Sequence, residues 1–183
     1  MSCDWKPNWD DTKQNFLKWW NHEGLVFCMW DTLESANFHE HSTPSDENHG
    51  IVYAYTHPHW RAKWNHDRLS RRSFPADSLP ISVSDIGPGS LALFMGSDAV
   101  LADDTVWFLP SIDPDDPEGH PPLHFDPDSK WWAITELTLK TCAEMARGKY
   151  LVGCPDLVEN VDIVAASRDP QLLLMDMVER PDW

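Results

Sequence analysis

The sequence predicts an α/β domain with parallel strands. Three short apolar runs of strand length, residues 25–30, 81–83 and 150–153, alternate with segments of helical character, and polar residues follow each run. Apolar runs without alternation are typical of strands that are covered on both faces, as in a parallel sheet. Between the second and third runs, residues 99–102 and 105–109 flank Asp103 and Asp104 like the arms of a hairpin. We therefore expect about three parallel strands and one hairpin.

Capping signals predict the helices between these strands. The clearest helix spans residues 130–147, because Asp128 and Ser129 can cap its start and Gly148 can close its end. Ile134, Leu137, Thr141 and Met145 share one face of it. A first helix starts after Asn8 and ends before Gly24, and further helices are predicted at residues 59–73, 90–95, 158–166 and 170–179.

A tight bend follows the second strand and contains the strongest candidate for a working residue. Asp85 comes directly after the run at 81–83 and precedes Gly87-Pro88-Gly89, where the next helix opens at Ser90. The carboxyl ends of strands are where α/β folds keep their catalytic groups. Asp85 is therefore predicted to act in a cleft. The alternative is that its carboxylate accepts hydrogen bonds from the amide of Gly87 or Gly89 and only fixes the turn.

Composition excludes several classes of partner. The 183 residues carry 14 Lys and Arg against 30 Asp and Glu, a formal net charge of −16. Nucleic acids and anionic membranes require clustered basic residues, so neither is an expected partner. Polyanionic substrates are disfavoured for the same reason. No apolar run reaches the roughly 20 residues of a membrane span. The four cysteines lack CxxC spacing, which favours thiols in the cytoplasm.

The histidines raise the question of a metal site. His39 and His41 flank a glutamate, and His57, His59 and His66 follow further along the chain. Zinc requires three or four converging ligands, and nothing in this spacing makes the imidazoles converge. We therefore predict no metal and no other cofactor within this chain.

Three motifs resemble the uroporphyrinogen decarboxylase superfamily, which also contains the corrinoid methyltransferases. They are Ser84-Asp85-Ile86 after a strand, the segment 148–153 after a long helix, and the tail 170–181. Residues 5–11, 104–107 and 126–132 resemble an uncharacterised branch of that superfamily. The resemblance implies a (β/α)8 TIM-barrel fold with an N-terminal helical extension. Residues 1–75 would form the extension with the first strand and a polar loop, and residues 76–183 a partial barrel, so that the chain supplies the first three strands.

The resemblance also implies an activity and a site. In the decarboxylase the aspartate of the Ser-Asp-Ile segment is the central catalytic carboxylate, which corresponds to Asp85 here. The implied chemistry is decarboxylation or corrinoid-dependent methyl transfer on a small-molecule substrate. The decarboxylase's arginine-containing motif, Met-Arg-Gln-Ala-Gly-Arg, is absent from the run at 25–30, which argues against a porphyrinogen substrate. The methyltransferases hold zinc in the second half of the barrel, so a corrinoid or zinc is expected only with such a half.

Further substrate contacts are predicted at the ends of the other strands. Asp156 and Cys154 follow the third strand and Asp31 follows the first, whereas Gly87 lies in the bend. The simpler interpretation of Cys154 is a small buried hydrophobe. The alternative to an enzyme is a non-catalytic half-barrel that needs a partner chain. Its partners would be a second copy in a homodimer, a complementary barrel half or a corrinoid protein.

Overall fold

The computed structural model describes residues 2–29, 49–103, 105–157 and 160–182 and is a mixture of helices and short strands. In chain order, the elements are helices α1 (Trp9–Trp20), α2 (Gly50–Thr56) and α3 (Pro58–Ser70), strand β1 (Ile81–Ser82), helix α4 (Ser90–Phe94), strands β2 (Asp98–Leu101) and β3 (Val106–Leu109), helix α5 (Lys130–Ala146), strand β4 (Leu151–Val152), and helices α6 (Asn160–Arg168) and α7 (Pro170–Glu179). The predicted helices are all present within a few residues of their expected ends.

The chain divides into two compact units. The first unit contains Met1–Glu40, Pro58–Ser84 and Thr138–Gly153, and the second contains His41–His57, Asp85–Leu137 and Cys154–Trp183. Each unit is assembled from segments that are distant in sequence. The proposed division at residues 75 and 76 stays a prediction.

A parallel pair of strands lies in the first unit. Strand β1 pairs with β4 in the register Ile81 to Leu151 and Ser82 to Val152. This agrees with the predicted parallel pairing of the second and third runs. Beside these strands, Leu69, Ala146 and Tyr150 form a small core, which Trp5 and Phe74 partly cover. The assignment of the chain to a (β/α)8 barrel stays a prediction.

The buried side of β1 is not the expected one, because the apolar residues were expected to be covered. Ser82 and Ser84 are buried, whereas Ile81 and Val83 are each 37% exposed. A side chain makes hydrogen bonds to β1 that a third strand would otherwise make. Asn65 on α3 donates from Nδ2 to the carbonyl of Val83 at 2.8 Å and accepts the Val83 amide at 3.0 Å through Oδ1. The strand therefore turns its small hydroxyl residues inward, and a buried amide satisfies its backbone.

The first predicted strand, residues 25–30, is wrong in its burial and its pairing. Leu25, Phe27 and Met29 are 72%, 61% and 58% exposed, and the segment makes a single antiparallel bridge, from Cys28 to Ala76. Side chains make hydrogen bonds to the backbone of this segment that a neighbouring strand would otherwise make. The Phe27 amide donates to Oδ2 of Asp77 at 3.0 Å, and the Met29 amide donates to Oγ of Ser78 at 2.7 Å. Trp30 lies outside the described residues.

The expected face of helix α5 is only partly buried. Leu137 is 53% exposed, whereas Ile134 packs against the core of the second unit. Six residues of the helix are buried: Trp131, Thr135, Thr138, Thr141, Cys142 and Ala146. Apart from Trp131, these buried residues are threonine, cysteine and alanine, which are small.

The hairpin and the glycine bend belong to the second unit. Strands β2 and β3 pair antiparallel from Asp98–Leu109 to Leu101–Val106, as predicted. Their inner residues pack with a core of Ile86, Leu93, Phe94 and Trp131. Nε1 of Trp131 donates to Oδ1 of Asp98 at 2.9 Å, and Nζ of Lys130 binds Oδ2 of the same carboxylate at 2.9 Å. These bonds tie the start of α5 to β2 and lower the pKa of Asp98, chiefly through Lys130.

Candidate functional site

The bend after β1 is held by a serine three residues after its first glycine. The Ile86 amide donates to Oγ of Ser90 at 3.2 Å, and the same hydroxyl donates to the carbonyl of Gly87 at 2.6 Å. The Ser90 amide also donates to that carbonyl, at 3.2 Å. Ser90 is fully buried. One hydroxyl thus accepts from the Ile86 amide and donates to the Gly87 carbonyl, both of which precede the start of α4.

Both glycines of the bend are required by its geometry. Gly87 has φ +145°, a conformation that side chains disfavour, and a Cβ there would lie 3.4 Å from Cβ of Val106. A Cβ on Gly89 would lie 2.8 Å from the ring of Phe108. The backbone of the bend therefore packs directly against β3. This packing explains why a glycine is needed at position 87. The predicted contact of Gly87 with substrate stays a prediction.

Asp85 lies between the strand and this bend and is half-buried. The preceding residue, Ser84, donates from Oγ to the carbonyl of Gly153 at 3.3 Å, and the Gly153 amide donates to the carbonyl of Ser82 at 3.0 Å. These bonds hold the carboxyl ends of β1 and β4 side by side. Asp85 and Cys154 are the next residues of the chain after Ser84 and Gly153. A carboxylate and a thiol therefore follow two neighbouring strand ends.

The other predicted contacts are more open to solvent. Cys154 is an exposed free thiol, which contradicts its simpler interpretation as a buried hydrophobe, and Asp156 is also exposed. Asp31 lies outside the described residues. Two clefts of the second unit, of about 390 and about 240 Å³, are lined by residues other than Asp85, Cys154 and Asp156.

Two of the candidate histidines, His57 and His66, contact aromatic rings. His57 stacks on Tyr53 with ring centroids 4.3 Å apart. His66 lies 4.9 Å from the Trp5 ring, and burial, with the charge of Lys149 adding to it, lowers its pKa. Within the described parts of the chain, no three His, Cys, Asp or Glu side chains are grouped as metal ligands. His39 and His41 lie outside the described residues.

Sequence reasoning missed two buried polar groups that organise the units. Asn65 in the first unit completes the backbone pairing of β1. Arg168 in the second unit is 1% exposed and binds Oδ2 of Asp176 through Nε at 2.7 Å. A mid-helix asparagine and an arginine eight residues before an aspartate carry no pattern that distinguishes them from surface residues. Both are recognisable only from their partners.

Comparisons with known proteins identify no relative of this chain. No helix in the described ranges has both the length and the apolar character needed to cross a membrane. Models of known families, curated proteins and solved structures were each compared with the chain, and none of them matches it.

Proposed function

We propose that this chain is the N-terminal part of a barrel enzyme of the uroporphyrinogen decarboxylase type, with Asp85 as its central carboxylate. The observation that carries the proposal is the parallel pairing of β1 with β4, because Asp85 follows the first of these strands at the edge where the second also ends. The motifs around Ser84-Asp85-Ile86, 148–153 and 170–181 supply the resemblance.

The chemistry suits a half-buried carboxylate at a strand end. Such a group can stabilise a positive charge that develops on a substrate, or can take a proton from it. The net charge of −16 disfavours a polyanionic substrate, and a small molecule with a single carboxylate or a methyl group carried by a corrinoid is compatible with it. The resemblance implies that the reaction is either loss of carbon dioxide or transfer of a methyl group.

The test uses two readouts that do not require the natural substrate to be known in advance. Carbon dioxide release is measured over a panel of small carboxylic acids, and methyl transfer is followed by the absorbance change of methylcobalamin. We expect Asp85→Asn to lower the detected activity by roughly 100-fold or more, the usual contribution of an acid–base group. Asp103→Asn removes an exposed carboxylate of the same unit and is the matched control. An Asp85→Asn protein with undiminished activity would contradict the proposal.

A second candidate function is the non-catalytic half-barrel. The observation that favours it is the apolar surface of the first unit, where Ile81 and Val83 are exposed beside the strand pair and Leu25, Phe27 and Met29 are exposed in the preceding segment. Monomeric proteins seldom expose such residues together unless a partner covers them. Sedimentation equilibrium of the wild type and of Ile81→Gln tests it, with Val52→Gln as the control at another exposed apolar residue. A protein that stays monomeric at all concentrations argues against homodimerisation through these strands.

A further inference from the structure

Helix α7 exposes four of its apolar residues, whereas Leu172 and Leu173 are half-buried. Its fully buried residue is the charged Asp176, which is 2% exposed. Four apolar side chains, which we call the α7 outer face, are 52% to 81% exposed: Leu174, Met175, Met177 and Val178. A helix normally buries its apolar stripe and exposes its charges. Here a charged residue is the fully buried one, and four apolar residues are exposed.

Buried polar bonds hold the helix in this orientation. Nε of Arg168 binds Oδ2 of Asp176 at 2.7 Å, and its Nη1 and Nη2 donate to the carbonyls of Asp113 at 2.8 Å and Pro114 at 3.1 Å. Nη1 of Arg180 binds the other oxygen of Asp176. Rolling α7 to bury its outer face would break the Arg168–Asp176 pair and leave a buried charge uncompensated, which is costly. The outer face is therefore a fixed feature of the second unit.

The charged groups at the carboxyl end of this face are mainly acidic. Residues 160–182 contain five acidic side chains and two arginines, Arg168 and Arg180. Arg168 is buried, whereas Arg180 is 35% exposed and pairs with Asp176 and Glu118. Glu179 and Asp182 are exposed. At the carboxyl end of α7, a cleft of about 390 Å³ is lined by Glu118, Glu179, Arg180, Pro181 and Asp182. An apolar face with this acidic rim complements a partner that is apolar along one side and basic at its margins.

We propose that the α7 outer face binds a cationic amphipathic helix of another protein. The apolar stripe of that helix would lie on Leu174, Met175, Met177 and Val178, and a lysine or arginine at its edge would enter the cleft beside Glu179 and Asp182. Methionine side chains adapt to varied apolar surfaces, which suits this mode of binding. A second copy of this chain fits poorly, because it would bring the same carboxylates against one another. This inference does not depend on the proposed catalytic role of Asp85.

The test measures binding of a synthetic 18-residue helix built from leucine and lysine, and of the same helix with glutamate in place of every lysine, by titration calorimetry. We expect the lysine helix to bind and the glutamate helix not to bind. The double variant Leu174→Gln, Val178→Gln should weaken binding of the lysine helix at least tenfold. Val100→Gln, at an exposed apolar residue of the same unit on β2, is the matched control and should leave binding unchanged.

A second pair of substitutions tests the rim separately. Glu179→Gln with Asp182→Asn should weaken binding and reduce its dependence on salt, since fewer charges are then paired on binding. All of these substitutions are at exposed positions, and circular dichroism verifies that each variant is folded. Failure of the lysine helix to bind, equal binding of both helices, or full affinity in the α7 double variant would overturn the proposal. A homodimer that dissociates in that variant would also overturn it, because the occupant would then be a second copy.

Discussion

In the glycine bend, residues 85–90, buried polar groups find partners within four positions of the chain, whereas at Arg168 the partners lie 8, 54 and 55 residues away. Both sites lie in the second unit and both bury polar atoms almost completely. The bend is closed by one serine hydroxyl, and Arg168 uses an ion pair and two carbonyls. Local partners order few residues, so the bend can form with its own helix. The bonds of Arg168 exist only when α6, α7 and the 113–114 loop have already come together.

The largest effect should follow from the loss of the long-range site. Arg168→Met leaves Asp176 buried with Arg180 as its remaining charged partner, and we expect it to lower the free energy of unfolding by roughly 3 to 5 kcal/mol. Urea unfolding measures this change. Arg147→Met, which removes an exposed arginine, is the control and should change stability by less than about 0.5 kcal/mol.

The pH dependence of the same variant shows whether the ion pair is responsible. Hydrogen bonds from Arg168 and Arg180 hold the pKa of Asp176 below its ordinary value. A carboxyl whose pKa is lower in the folded state stabilises the fold above its unfolded pKa, and this stability is lost as the pH falls through the folded value. The wild type should therefore lose more stability on acidification than Arg168→Met does. Parallel stability curves for the two proteins would assign the loss to packing instead.

A smaller effect should follow from filling the space at the bend. Gly89→Ala places a Cβ 2.8 Å from the Phe108 ring, while φ at this residue is −90° and permits alanine. The cost is therefore steric, and we expect a loss of roughly 1 to 3 kcal/mol, as for other overpacked positions. Gly24→Ala is the control, because its Cβ would meet an atom no closer than 3.5 Å. Equal stability of the two variants in thermal unfolding would mean that the Phe108 ring moves aside without loss of stability.

The smallest effect should follow from removing the hydroxyl that closes the bend. Ser90→Ala removes the hydrogen bond that the Ile86 amide donates and one of the two bonds to the Gly87 carbonyl. We expect the free energy of unfolding to fall by about 1 to 2 kcal/mol, the usual range for a buried donor without its partner. Ser70→Ala removes an exposed hydroxyl that binds the Asp67 carbonyl at 2.9 Å and is the control. Hydrogen exchange of the Ile86 amide provides a local readout, because its protection should fall even if global stability changes little.

The sequence predicted those features whose causes lie within a few residues. Capping and turn residues predicted the positions of the helices, although Asn8 makes no side-chain capping bond to α1. Asp169 caps α7 by accepting the amides of Gln171 and Leu172, and this cap was not predicted. The hairpin and the bend at Gly87 and Gly89 were also readable, because their conformations depend on local backbone geometry. The predicted site residues Asp85, Cys154 and Asp156 follow strand ends as expected. Their role in catalysis depends on a substrate and stays a prediction.

Burial, by contrast, was decided by tertiary contacts. The apolar run at 25–29 is exposed, with Asp77 and Ser78 bound to its backbone, and the serines of β1 are buried, with Asn65 bound to the Val83 backbone. Helix α7 exposes Leu174, Met175, Met177 and Val178 and buries Asp176, which Arg168 binds. A side-chain hydrogen bond between distant residues can outweigh an apolar pattern, since a buried polar group without a partner costs as much as several exposed methylene groups. The local amino-acid sequence therefore determines where helices and strands begin and end. Contacts between residues distant in sequence, which form only in the folded units, decide which faces are buried.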